Sequence, residues 1–582
     1  MYYLIPIITV FGFYNISLKI KDKLNINYDS FLFSLSLFLF TLVIFTNLIL
    51  FKISFQFSKN IILILLIIST FDFIYNRSSE IILKIKKDKI LFTFYFILVA
   101  ISLLPLAGAD SYAYHLAWPN DLILNPDVIF NKLNLEYRVV GNGEVVNYIG
   151  LFLGTENLQS FISISILFFL ILKKDNKNLV FLLIISSPIF LKYSLDQKPF
   201  ILPCLIFVIF LSNFLKNINL NKIQNLDLLS FLLALVFFAG SKYPFLILGL
   251  VITIFFLVLS IKYKFFKKFF LFGLLVFITY FVPIPLAKFL QFGDPFSPFL
   301  EGMFNNSDYE ILKLKKMYSS WDGLKINDNG NFFLILRNIF NFIVPIAPFS
   351  ILDTYGFGFL FLFFYRFRDK KNLILILLLF LSTSTMVFLT NFQSRWYIFL
   401  ILYVVLNHDY LGLSKKFENL LIKIMIPIAA IIGCFYIYFL GFVISNSIHN
   451  NFEDTKNKTL YLYKDIKNIE NISKGKLILT NTRSNFFSQN LIQYKYPKYS
   501  QKLILNNDKI HDIEYGFFSI GGNFKNKKEL KNKSILSNFY IDCYDIISFS
   551  NNLVAKRNLF SRKDYEQFVL IKFHKNIKNC FK

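Results

Sequence analysis

Cysteine is nearly missing from this chain, with four in 582 residues, and that excludes a small scaffold held together by disulfides. Cys204 and Cys434 lie inside apolar runs and read as inert packing residues. Cys543 and Cys580 fall in a hydrophilic tail, where they are a pairing candidate only if that tail faces an oxidising compartment. Charge is also scarce, at 17% of residues, against about 25% in soluble domains. The first apolar segment, Met1 to Leu18, lacks a basic leader and a small-residue cleavage site, so it reads as a retained span. No internal repeat of the kind found in many secondary transporters is visible.

Apolar length is what the chain has in excess. It is 55% hydrophobic and 19% aromatic, with a mean hydropathy of +0.54. Apolar runs fall near residues 1–18, 31–51, 60–75, 90–107, 146–172, 179–195, 199–215, 228–241, 244–261, 268–290, 332–365, 373–390, 396–412 and 424–445. Runs of this length cross a bilayer as helices, giving about 13 or 14 spans. Pro345, Pro348 and Asp353 interrupt the run at 332–365, which is either one kinked helix or a re-entrant piece followed by a helix. The expected fold is therefore an all-α polytopic membrane bundle. From about residue 446 the chain turns rich in Asn, Lys, Ser and Asp, with short strand-like stretches at 476–480 and 568–573. These predict a small C-terminal α/β domain over 446–582.

The formal net charge of +26 would suggest nucleic acid in a soluble protein, but here it is distributed along loops. Basic clusters at 77–89, 173–177, 262–268, 366–371 and 415–423 alternate with acidic loops at about 108–145 and 291–331. The positive-inside rule places the clusters in the cytoplasm, and the acidic loops and the tail outside. Lys52 and Lys59, in a loop assigned to the outer side, run against that pattern. A multi-pass protein of a bacterial inner membrane is the expectation, with membrane lipids as its surroundings and no nucleic-acid partner.

On the predicted outer face, the polar residues near span ends are Asp110 and His115, Arg138 and Glu144, Asp196 and Lys198, Lys242, and Arg395. Carboxylates suit proton abstraction or acceptor binding, and Lys and Arg suit a phosphate. Each also has a plainer reading. Asp110 is then a helix-ending residue and His115 a hydrogen-bonded loop residue. Lys198 and Lys242 snorkel to the interface, Asp196 pairs with Lys198 or Lys192, and Arg395 anchors a span end beside interfacial aromatics.

Taken in order, these landmarks resemble the GT-C class of membrane glycosyltransferases, related to the aminoarabinose and mannosyl transferase group. Asp110 follows a membrane run and opens a large loop with Tyr114-His115-Leu116. Ser187-Pro188 leads to Asp196, and Gly240-Ser241-Lys242-Tyr243 is similar to the Gly-Thr-Lys-Tyr sequence of that class. Gly293-Asp294-Pro295 looks like its Gly-Asn-Pro loop and Arg395-Trp396-Tyr397 like its late Arg-Tyr motif. The resemblance covers roughly residues 90–410, so 90–445 reads as the family-like core and 1–89 as additional N-terminal helices.

The resemblance implies transfer of a sugar from a polyprenyl-phosphate donor to a lipid or glycan acceptor. Asp110 would be the catalytic carboxylate, with Asp196 and His115 beside it. Lys198, Lys242 and Arg395 would hold the donor phosphate. Tyr114, Arg138 and Glu144 would support the acceptor or the loop. Neither an Asp-Glu pair nor an Asp-x-Asp follows the fourth span, so no metal ligands or cofactor are assigned; a divalent metal is not indicated. The alternatives are a polysaccharide ligase or polymerase, and a transporter or flippase of lipid-linked saccharides.

Overall fold

The computed structural model describes residues 2–53, 58–105, 111–132, 134–174, 177–220, 222–298, 300, 354–356, 365–366, 370–389, 394–407, 409–410, 415–460, 462–482, 491–494, 500–501, 504–505, 513–521, 535–549 and 566–582. In chain order the helices are α1 (Leu4–Lys23), α2 (Ser30–Leu50), α3 (Lys59–Lys87), α4 (Lys89–Ser102), α5 (Ala117–Leu124), α6 (Val145–Leu153) and α7 (Leu158–Leu172). They continue with α8 (Lys177–Ile185), α9 (Pro188–Leu195), α10 (Ile201–Asn219), α11 (Asn225–Ser241), α12 (Tyr243–Lys262), α13 (Phe266–Val276) and α14 (Pro283–Phe292). After these come α15 (Lys370–Leu389), α16 (Ile398–Asn407), α17 (Lys415–His449), α18 (Phe452–Thr459) and α19 (Tyr463–Ser473). The chain forms two compact units, one made of residues 1–106, 140–286 and 319–441 and the other of 107–139, 287–318 and 442–582.

Among the described residues five helices are long and apolar enough to cross a membrane, or up to eight if each of three bent pairs is one span. The run at 332–365 lies almost entirely outside the described residues. The bent pairs are where hydropathy and geometry part. The run at 146–172 is two helices meeting at 114°, and 179–195 is two meeting at 80°. Gly154 makes the first bend by taking φ +99, which costs glycine little. At the second, Pro188 starts a new helix because it donates no hydrogen bond backward.

Phenylalanines spaced two turns apart build the interior of the first unit. Phe207 and Phe214 of α10 face Phe231 and Phe238 of α11, with ring centroids 5.0 Å apart for Phe207–Phe238 and 4.5 Å for Phe214–Phe231. Phe399 of α16 closes on Phe238 at 4.6 Å. At the N-terminus α1 lies close against α3: a Cβ on Gly12 would sit 2.5 Å from the Leu66 carbonyl oxygen. Small residues permit such contact, and polar groups then secure it. Asn15 donates to the Ser69 carbonyl at 3.0 Å and to Asp72 at 2.7 Å, and Lys19 pairs with Asp72 at 2.8 Å.

The second unit holds a π turn at Ser111–His115, α5, and the C-terminal sheet. After the two-residue pair β1 (Tyr365–Arg366) and β2 (Asp409–Tyr410) of the first unit, its strands are β3 (Leu477–Thr480), β4 (Leu491–Gln493), β5 (Ile513–Gly521), β6 (Tyr544–Phe549) and β7 (Glu566–Phe573). Their order is β4-β3-β5-β7-β6, parallel on either side of β3 and antiparallel from β5 onward. The expected strands at 476–480 and 568–573 are thus found as β3 and β7. Tyr494, Phe518, Phe539, Phe573 and Phe581 fill the core.

Cys543 and Cys580 are bonded, with Cα atoms 5.6 Å apart and 37 positions between them. Closing a loop of that length removes unfolded-state freedom worth about 4 kcal/mol. Reduction of the full chain, or Cys543→Ala with Cys580→Ala, should lower amide-exchange protection of β5 and β7 by a comparable amount. Unchanged protection would show that packing alone holds the sheet.

Candidate functional site

The expected site residues fall into both units, and each group is described within its own. In the first unit Glu144 ends a 3-10 turn over Asn142–Glu144 and is fully buried. One of its carboxylate oxygens accepts the Gly141 N–H at 2.8 Å, and the other accepts Lys242 Nζ at 3.1 Å. Glycine is required on both sides of Asn142. A Cβ on Gly141 would lie 2.3 Å from the Gly240 carbonyl oxygen, and one on Gly143 would lie 2.4 Å from Pro199 Cβ. Asn142 ties the turn to the Tyr280 carbonyl at 2.9 Å.

Lys242 occupies the extended link between α11 and α12. Burial pushes its ammonium pKa down and Glu144 pulls it back up; the charges of Lys198 and Arg395 push it down again. Three cations therefore share one electrostatic neighbourhood. Lys198 lies 3.6 Å from Asp196, both largely buried, and is one of the two partners the sequence offers Asp196. Asp196 ends α9 in an extended conformation. Arg395 stands on the 3-10 turn Ser394–Tyr397, its guanidinium 4.9 Å from the Trp396 ring centroid and 5.9 Å from that of Phe200. Cation–π contact orients such a group without neutralising it. The unit thus brings Glu144, Asp196, Lys198, Lys242 and Arg395 together: three cations and two carboxylates at helix junctions.

In the second unit Tyr114 and His115 are both buried, their ring centroids 4.1 Å apart. Arg138 is buried as well. It donates to Ser297 Oγ at 2.6 Å, and its guanidinium lies 4.3 Å from the Phe292 ring centroid. Asp294, in the Gly-Asp-Pro loop, accepts the Phe296 N–H at 2.8 Å. Burial raises its pKa, while backbone hydrogen bonds and the charges of Arg138 and Lys288 lower it. Asp110 lies outside the described residues, so its expected approach to Asp196 does too. Among the described residues no group of three His, Cys, Asp or Glu side chains is placed to hold a metal ion.

The sequence reading did not single out the tight Gly-Asn-Gly-Glu turn as a locked element, although two glycines flanking an Asn beside a Glu are a visible signal. It also passed over Asp121 and Tyr137. In the same segment Trp118 stacks on Phe130, with ring centroids 5.5 Å apart. Tyr137 donates to Asp121 at 2.5 Å, yet burial pushes the Asp121 carboxyl up to about 6. Its folded pKa exceeds the unfolded value of about 3.9, so between those values the folded form binds more protons. The contribution of Asp121 to stability should therefore be greatest below about pH 4 and fall as pH rises to about 6, by at most about 3 kcal/mol, then level off. Asp121→Asn should flatten the profile in amide exchange over 117–139, and an unchanged slope would assign it to another group.

Comparison with known protein families, with curated proteins and with solved structures finds no match for this chain.

Proposed function

We propose that the chain is a membrane glycosyltransferase that moves a sugar from a polyprenyl-phosphate carrier to a lipid or glycan acceptor. The observation that carries this reading is the cluster of Lys198, Lys242 and Arg395 with Glu144 and Asp196 at the helix junctions. Three cations gathered in one neighbourhood suit the binding of an anion.

In the reaction the sugar C1–O bond to phosphate breaks, and its electron pair stays on the phosphate oxygen. The acceptor oxygen or nitrogen bonds to C1, and its proton goes to a carboxylate, Asp110 in this reading. The products are the glycosylated acceptor and polyprenyl phosphate. Cations fixed before the reaction stabilise the charge that develops on the leaving phosphate, and holding the acceptor in line supplies much of the rest. Tyr114, His115 and Arg138 belong to the acceptor side of this scheme. The bonded Cys543–Cys580 pair supports an extracytoplasmic tail, in keeping with the charge alternation along the loops.

Two measurements test the reading. Membranes containing the protein should transfer labelled sugar from polyprenyl phosphate, and a deletion strain should accumulate one polyprenyl-phosphate sugar while losing one glycan modification. A cytoplasmic reporter signal from a fusion at residue 500, or an external one at residue 370, would overturn the topology on which the site is placed.

A second reading, transport of a lipid-linked saccharide, is favoured by the 114° and 80° breaks in otherwise apolar helix pairs, since transporters build sites from broken helices. Movement of an intact labelled carrier lipid across proteoliposomes without a covalent product would select it.

A further inference from the structure

Asp196 and Lys198 flank Gln197, which is bonded through both its backbone and its side chain. Asn147 of α6 donates from Nδ2 to the Gln197 carbonyl at 2.9 Å. The Gln197 side chain donates from Nε2 to Asn157 Oδ1 at 2.9 Å, and Asn157 Nδ2 donates to the Leu103 carbonyl at 2.6 Å. All three amides are buried. Asn157 sits in the break between α6 and α7, the same break that bends the pair by 114°. The Phe200 N–H reaches back to the Lys198 carbonyl at 2.7 Å, and Pro199 is wedged against Gly143 of the Glu144 turn. The backbone is thus tied at Gln197, Lys198 and Pro199 in succession.

We propose that Gln197, acting through Asn147 and Asn157, is a positioning residue that sets where Asp196 and Lys198 stand in the anion-binding cluster. This rests on the proposed reading of that cluster. The physical reason is specific to an amide. Gln197 offers a donor on its side chain and an acceptor on its backbone; Asn147 takes the acceptor, and Asn157, itself bonded to the Leu103 carbonyl, takes the donor. A hydrocarbon of equal size would pack but would leave Asn157 Oδ1 without its donor, which is costly in a buried place. A carboxylate would oppose Asn157 Oδ1 and add charge. The chain of amides also explains how a sharply bent helix pair acquires a fixed angle: both halves and the end of α4 are bonded through it. Lys198 has a long flexible side chain, so placing its backbone removes freedom that an incoming anion would otherwise have to restrain.

The test uses the full chain in lipid nanodiscs, with geranyl phosphate as the probe. Gln197→Ala and Asn157→Ala should each weaken probe binding about 10-fold, and the double variant should be no weaker than the weaker single, because both act through one chain of bonds. Gln197→Asn guards against misfolding, since it keeps the amide and withdraws it by about 1.5 Å; it should also lose most of the effect. An independent readout is the acetylation rate of Lys198 at pH 8, followed by mass spectrometry. That rate should change at least 3-fold in the variants, while that of exposed Lys268 stays constant.

A residue that only packs helices would lower thermal stability and leave both the affinity of the folded protein and the Lys198 rate at wild-type values. That result overturns the positioning role. If wild-type protein itself fails to bind geranyl phosphate, the anion reading of the cluster falls, and the Lys198 rate alone decides whether Gln197 sets its position.

Discussion

Asp110→Asn should reduce sugar transfer by about 10²-fold or more while the protein still inserts and accumulates normally, because the change removes the proposed acid–base group and nearly preserves its shape. The expectation comes from placement. Asp110 follows an uncharged run from Ile90 to Ala107 and opens a large polar loop, and ionisable residues at such depth are expensive and rarely idle. A carboxylate that accepts the acceptor's proton acts only as the new bond forms, so its loss should appear in kcat with little effect on KM. Arg395→Ala should behave differently, raising the apparent KM for the carrier lipid through weaker phosphate binding. The measurement is initial-rate transfer by membranes matched for protein content. A wild-type rate in Asp110→Asn would remove the residue from the chemistry, whatever else the protein does.

Glu144→Ala is expected to be the most disruptive single change in the first unit. It takes the Glu144 carboxylate away from the largely buried Lys242 ammonium, which shares its surroundings with Lys198 and Arg395, and it removes the acceptor of the Gly141 N–H. Removing one member of a buried pair usually costs about 3–5 kcal/mol, much of it the penalty of the charge left behind. Lys242→Ala should be costly for the converse reason. Glu144→Ala combined with Lys242→Met should recover most of the lost stability, since the unpaired charge goes with its partner. The same double variant should still fail in transfer, because it keeps the fold and discards a cation proposed to hold the donor phosphate. Thermal unfolding of detergent-solubilised protein reads the first effect, and the transfer assay reads the second. Additive destabilisation in the double variant would show that Glu144 and Lys242 act separately.

Those two expectations draw on different kinds of information. Asp110 was identified by hydropathy and polarity along the chain, which are properties of consecutive residues. The membrane class was legible in the same way, because a bilayer demands a certain apolar length whatever surrounds it. The C-terminal strands β3 and β7 were legible because a short apolar stretch amid polar sequence has one economical way to bury itself. The Cys543–Cys580 pair was visible as a possibility of composition, and its realisation depended on the sheet and its flanking turns bringing the two Cα atoms to 5.6 Å.

What hydropathy does not carry is pairing and angle. Lys242 and Glu144 are 98 positions apart, and Asn147 and Gln197 are 50 apart. Nothing local marks either contact, because it depends on which helix faces which. The apolar run at 146–172, interrupted only by Gly154-Thr155-Glu156-Asn157 and a few other polar residues, contains a 114° turn that hydropathy averages away, and Gly154 and Asn157 are the residues that make and hold that turn. The sequence by itself determined that this is a helical membrane protein with a separate C-terminal sheet and a limited set of charged span ends. Only the tertiary structure decided that Glu144 meets Lys242 and that three amides hold the segment between Asp196 and Lys198, because buried charge and hydrogen bonds are satisfied by neighbours in space.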